Sequence, residues 1–138
     1  MVIIVSACLA GIRSRFDGTS SPCEKVMDLV SKGEAIPLCP EQLGGLPTPR
    51  AAAERVDDKV FTEQGEDLTE KYRLGAKEVL RIARLVGCKK AILKSLSPSC
   101  GSGKIYDGSF SGRLVKGDGI LAELLKKNGI RIYDETDI

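Results

Sequence analysis

Histidine is absent from this sequence. That excludes a Ser-His-Asp triad, a Cys-His pair and every zinc site built on imidazole. General acid–base work must then fall to a carboxylate, Lys, Tyr or Cys. Long apolar runs are missing as well. The N-terminal stretch Val2–Val5 is short, has no basic region before it, and reads as a buried strand rather than a signal peptide. A cytoplasmic location without a membrane partner is therefore expected. A charge excess is missing too. Lys+Arg 21 against Asp+Glu 19 leaves a net +2, which argues against non-specific binding to nucleic acid or anionic membranes. There are no repeats, low-complexity segments or linkers. The 138 residues are expected to form a single domain over 1–138, with a core of its own.

Cysteine is what the sequence does have, at five positions. The cytosol keeps thiols reduced, so these read as ligands, nucleophiles or packing rather than a disulfide framework. Around them the chain alternates strand and helix. A first strand, Val2 to Ala7, is followed by a polar loop, Gly11 to Ser20. Ser21-Pro22-Cys23-Glu24 reads as a capping box with Pro at the first helical position, opening a helix that runs to Lys32 and stops at Gly33. A second strand, Ala35 to Leu38, ends at Cys39-Pro40-Glu41. The Gly/Pro-rich stretch Gly44 to Arg50 then punctuates too densely for regular structure.

Asp67-Leu68-Thr69-Glu70 is a second capping box. It opens the longest helix, with apolar positions Leu68, Tyr72, Val79, Ile82, Ala83 and Val86 at helical spacing. A third strand at Ala91 to Lys94 leads into the loop Ser95 to Gly103. Asp107-Gly108 suggests a small hairpin resuming at Phe110. Asp118 is read as the cap of a last helix, and Ile130 to Tyr133 as a fourth strand. This alternation implies a three-layer α/β/α architecture, Rossmann-like or flavodoxin-like. Its mostly parallel four-stranded sheet has order 2-1-3-4 with a small hairpin insertion.

That order places the three Cys-bearing strands side by side, roughly 4.8 Å apart. Cys8, Cys39 and Cys100 each lie at or just beyond the carboxyl end of one strand, where parallel sheets bind ligands. Taken alone, each reads as a core thiol. Their coincidence points to a metal or iron–sulfur centre, since soft thiolates select soft metals. A [4Fe-4S] cluster usually takes four Cys, so three would leave one iron open. The spacing itself is not diagnostic, because no CxxC occurs. Cys23, in register with Val26 and Val30, and Cys88, directly after Gly87, read as small buried hydrophobes.

Two other motifs fail on inspection. Cys8 to Ser14 resembles the C-x5-R-S loop of low-molecular-weight tyrosine phosphatases, yet only four residues separate Cys8 from Arg13. The lost residue takes an amide from the phosphate cradle. Gly101-Ser102-Gly103-Lys104 resembles a Walker loop, but Pro98 occupies the first Gly position and Ile105 the Ser/Thr position.

A set of motifs covering nearly the whole chain carries a family likeness. They are Val5-Ser6-Ala7-Cys8-Leu9 with Arg15-Phe16-Asp17-Gly18, and Cys39-Pro40-Glu41 with Gly44 to Arg50 and Glu54. Gly65 to Thr69, Gly75-Ala76, Ile92-Leu93-Lys94, Ser97 to Gly101, and Ile105 to Gly108 with Phe110 complete it. The chain resembles a stand-alone member of the thiouracil desulfurases. The resemblance implies a [4Fe-4S] cluster on Cys8, Cys39 and Cys100. It implies non-redox removal of sulfur from a thiolated pyrimidine, with water entering, sulfide leaving and the open iron acting as Lewis acid.

Without His, a carboxylate is the natural proton carrier, and Glu41, two residues from Cys39, is the first choice. Pairing with Arg50 is its plainer role. Ser97 is the second catalytic candidate, although a Ser before a turn also caps it. Asp17, Arg50, Glu54 and Ser99 are expected at the substrate, with loop bracing as the alternative for Asp17 and Glu54. The expected partner is a small thiopyrimidine as free base or nucleotide, a thiolated tRNA base remaining open. A structural metal-binding or sulfur-carrier module is the competing reading. A Cys-dependent phosphatase is the weaker third.

Overall fold

The computed structural model describes residues 1–138. Its main sheet contains strands β1 (Ile3–Ser6), β2 (Ala35–Leu38), β5 (Lys90–Leu93) and β8 (Arg131–Asp134), all parallel, in the order β2-β1-β5-β8. These are the four expected strands in the expected order. Pro37 sits in β2, an edge strand, where its missing N–H is tolerated.

The pleat sorts side chains between two cores. Ile4, Ala91 and Leu93 face α3 (Thr69–Leu85) and α4 (Ile120–Lys127), joining Val79, Ala83, Leu121 and Leu125. Ile3, Val5 and Ile92 face the other way, against Val26 of α1 (Glu24–Ser31). Helices thus cover both faces, as the three-layer reading requires.

Several local readings are corrected. The first helix begins at Glu24 with Cys23 as its cap, not at Ser21. The amides of Ser21 and Cys23 donate instead to Cys8 O and Leu9 O, which holds this segment extended against the first loop. Asp118 does not cap α4. Its carboxylate accepts from Gly103 N and Lys126 Nζ, while the first amides of α4 bond to the carbonyls of Pro98 and Ser99. Gly119 permits that approach, because a Cβ there would collide with the Ser99 carbonyl.

The hairpin β6 (Lys104–Tyr106) and β7 (Leu114–Lys116) has a longer turn than expected, and its second strand starts at Leu114 rather than Phe110. A further hairpin, β3 (Ala53–Val56) and β4 (Lys59–Thr62), and a four-residue helix, α2 (Pro40–Leu43), had no counterpart in the sequence reading. Both help to build the site. No helix is long and apolar enough to cross a membrane.

Candidate active site

The carboxyl ends of β1, β2 and β5 open onto a cavity of about 400 Å³. Cys8, Cys39 and Cys100 all line it, each delivered differently. Cys8 sits in a 3₁₀ turn, Ala7–Ala10, that continues β1. Cys39 is the residue from which α2 springs. Cys100 ends a tight turn in which Ser97 Oγ accepts from the amides of Ser99 (3.1 Å) and Cys100 (3.1 Å). The carbonyls of that same turn receive the start of α4, so the Cys100 loop is anchored on a helix.

The three thiols are all buried enough to hold their protons. Burial pushes Cys8 up to about 11 against the pull of Lys94, and Cys100 up to about 12 against the hydroxyl of Ser6. Burial also raises Cys39, opposed by the amide of Gln42 at the start of α2. A phosphatase nucleophile needs a depressed thiol and a cradled arginine. Cys8 is shifted the opposite way, and Arg13 is exposed and lies outside the cavity. The phosphatase reading is thereby removed.

Glu41 lines the cavity beside the cysteines and is held from two sides. Arg50 Nη2 reaches Oε2 at 2.7 Å, and the Tyr72 hydroxyl donates to Oε1 at 2.7 Å. Burial first, and then the neighbouring Glu41 charge, drive the Tyr72 phenol far above its ordinary range, so it stays a donor. The glycines at the crossing of α2 and α3 set this up. A Cβ on Gly44 would strike Lys71 O, and one on Gly75 would strike Pro40 O. Only glycine lets the helices approach closely enough for Tyr72 to reach Glu41.

Not every residue expected at the substrate lies there. Glu54 lines the cavity, but its Oε1 accepts from Gly108 N (2.9 Å) and Phe110 N (3.1 Å), pinning the β6–β7 turn. Arg50 lies behind Glu41 rather than in the lining, and also donates to Ser14 O and Thr48 Oγ1. Asp17 is exposed and closes a local turn through Thr19 N and Oγ1. Ser99 is fully buried behind the lining, whereas Ser97 faces the cavity.

Other lining residues belong to the motifs that carry the family likeness. Lys94 pairs with Glu135 at 2.7 Å, and Arg15 makes no side-chain hydrogen bond or ion pair. Phe16 and Tyr106 contribute aromatic surface, and Ser6 a buried hydroxyl. Lys94 and Ser6 had a legible signal, since each is a polar residue ending an apolar strand.

The donor set suits a soft metal centre. The three thiols share one cavity, and Cys8 lies close enough to feel both other thiols. Three thiol donors with no imidazole in the chain fit an iron–sulfur cluster.

Comparison with known proteins gives the family of the chain. A family model described as 2-thiouracil desulfurase matches residues 3–137. The uncharacterized protein YbbK of Bacillus subtilis (strain 168) is 42% identical over 147 residues, covering 99% of this chain and 97% of its own length. The solved structure of a [4Fe-4S]-dependent thiouracil desulfidase, TudS, matches with a TM-score of 0.95 and 43% identity, over 99% of this chain and 92% of that one. The chain belongs to the 2-thiouracil desulfurase family.

Proposed function

We infer that the protein removes sulfur from a thiolated pyrimidine, giving the oxo-pyrimidine and hydrogen sulfide, at a [4Fe-4S] cluster held by Cys8, Cys39 and Cys100. One observation carries this reading: three strand-end thiols meet in a single cavity beside a carboxylate clamped by Tyr72 and Arg50. When bound, the cluster supplies a Lewis-acidic iron without a protein ligand, suited to a thiocarbonyl sulfur. Everything else falls to the side chains.

Water provides the incoming oxygen and the two protons that leave on sulfide. Glu41 is the proton carrier, because it lines the cavity two residues from Cys39 and is held in one orientation by Arg50 and Tyr72, whereas Glu54 is engaged in pinning the β6–β7 turn. Ser97 has both lone pairs engaged by backbone amides, which leaves its O–H to donate to Ser99 or to the pyrimidine carbonyl. Phe16 and Tyr106 offer faces for the ring. Arg15, a cation without a partner, suits an anionic substituent such as a nucleotide phosphate.

Anaerobic reconstitution with iron and sulfide tests the reading, followed by assay of sulfide release from 2- and 4-thiouracil, their nucleotides and thiolated tRNA. Iron and sulfide in cluster stoichiometry with turnover on a thiopyrimidine support it. A fully loaded protein that releases no sulfide from any of these refutes it.

A further inference from the structure

The three proposed ligands differ sharply in what surrounds their sulfurs. Cys8 has no side-chain hydrogen bond, and the charges of Lys94, Arg15 and Glu41 lie nearby. Cys39 meets Ser14 O at 3.7 Å and Arg50 Nη2 at 4.0 Å. Cys100 alone is surrounded by hydroxyls, from Ser6 at 3.3 Å and Ser99 at 3.6 Å, and all three residues are buried.

The Ser6 hydroxyl has no freedom in this arrangement. Ser6 ends β1 just beyond the point where its pairing with β5 stops, and its Oγ accepts the amide of Lys94 at 2.9 Å. With that lone pair engaged, its one hydrogen is directed to the Cys100 sulfur. Ser99 is aligned in turn, since Ser97 Oγ stands 3.2 Å from Ser99 Oγ. The chain therefore aims two O–H donors at one sulfur and none at the other two.

We propose that Ser6, with Ser99 as second donor, is a positioning residue that tunes the cluster through Cys100. The proposal rests on the cluster reading above. Hydrogen bonds to a ligating thiolate withdraw charge from sulfur, weaken its donation to iron and raise the reduction potential. The same withdrawal keeps the centre a stronger Lewis acid without any change of ligand. A purely structural role, satisfying the Lys94 amide, would cost stability in Ser6→Ala but leave the potential alone.

The test compares anaerobically reconstituted wild type, Ser6→Ala, Ser6→Thr and Ser99→Ala. Iron and sulfide content, midpoint potential and the shift of Fe–S vibrations in D2O are measured, together with kcat and KM for sulfide release. Ser6→Ala is expected to load iron fully, to have a lower midpoint potential and a smaller D2O shift, and to lose kcat with little change in KM. Ser6→Thr, which keeps the hydroxyl, returns the potential towards wild type. Ser99→Ala shifts the potential in the same direction by less, its donor being farther away. Loaded Ser6→Ala with the wild-type potential and D2O shift overturns the proposal. Should Ser6→Ala fail to load, an unshifted potential in loaded Ser99→Ala overturns it instead. A wild type that binds no cluster, or binds one and releases no sulfide, counts against the functional reading rather than against Ser6.

Discussion

Gly75→Ala separates two opposed effects at the helix crossing beneath the site. In an exposed helix, replacing Gly by Ala would stabilise by about 1 kcal/mol. Here the new methyl would collide with the Pro40 carbonyl oxygen, and would stand 2.7 Å from the carbon behind it and 3.2 Å from Gly44 N. These are backbone atoms, which no rotamer change can move aside. To restore an ordinary separation, α2 would have to withdraw by on the order of 1 Å, an overpacking cost of about 1–3 kcal/mol, reckoned here near its upper end. The steric cost wins, leaving a net loss of about 2 kcal/mol and a melting temperature lower by on the order of 5–10 °C. The displaced segment carries Cys39 and Glu41, so sulfide release should fall further than the loss of folded protein explains. Urea denaturation of the apo protein, with turnover of the reconstituted protein at a temperature where both variants are folded, measures the two effects. A Gly75→Ala protein as stable as wild type, or more so, would refute the close-approach reasoning.

Other expectations follow from the same geometry. Glu41→Gln should lower kcat by about 10²- to 10⁴-fold while leaving iron content intact, as expected for a lost proton carrier. Near-normal kcat would reduce Glu41 to a brace. Cys8→Ser, Cys39→Ser and Cys100→Ser should each lose the visible absorption of the reconstituted cluster, whereas Cys23→Ala and Cys88→Ala should retain it. A Cys88→Ala protein without cluster would overturn that division. The raised thiols predict an alkaline loss of apo stability. A folded value of about 11 for Cys8, against about 9 unfolded, contributes stability fully present below pH 9 and lost as pH rises through 11. The two-unit difference is worth about 3 kcal/mol at most. Urea midpoints of wild type and Cys8→Ser, followed from pH 8 to 10.5, should converge from the wild-type side, and parallel curves would count against the shift. Glu135 has a depressed carboxyl and accepts from Lys94 and Ser95, although burial opposes the depression. Its contribution is present above its unfolded value and fades as pH falls through the lower folded one. Glu135→Gln should therefore flatten the acid end of the stability curve measured by urea denaturation.

The readings that succeeded and those that failed divide along a physical line. The long helix from Thr69 was legible because Tyr72, Val79 and Ala83 repeat at helical spacing, and all three are buried in the core. Hairpin β3–β4 was not, because Arg55 stands at an inward position. It is buried, with its charge met by Asp57 O, Asp118 O and Glu123. Only the fold shows that this cation is satisfied, and a buried Arg spoils the alternation by which a strand is read. The first helix was placed two residues early for a related reason. Ser21 and Cys23 had a better use for their amides on the carbonyls of Cys8 and Leu9, far enough along the chain to be invisible to a local capping rule.

By itself, the sequence determined the alternation of strands and helices, the order of the parallel sheet and the three cysteines that would meet at its carboxyl edge. It also determined that no histidine can serve them. These follow from local periodicity, strand-end placement and composition. The tertiary structure decided which groups stand beside those sulfurs. Tyr72 reaches Glu41 across 31 positions, Lys94 meets Glu135 across 41, and Ser6 reaches Cys100 across 94. Arg50 was placed behind the carboxylate rather than at the cavity, and Asp17 was left in solvent. Such pairings depend on the angle and closeness at which elements cross. Those are properties of the packed chain, set here by glycines at Gly44, Gly75 and Gly119 whose meaning appears only once the helices are in place.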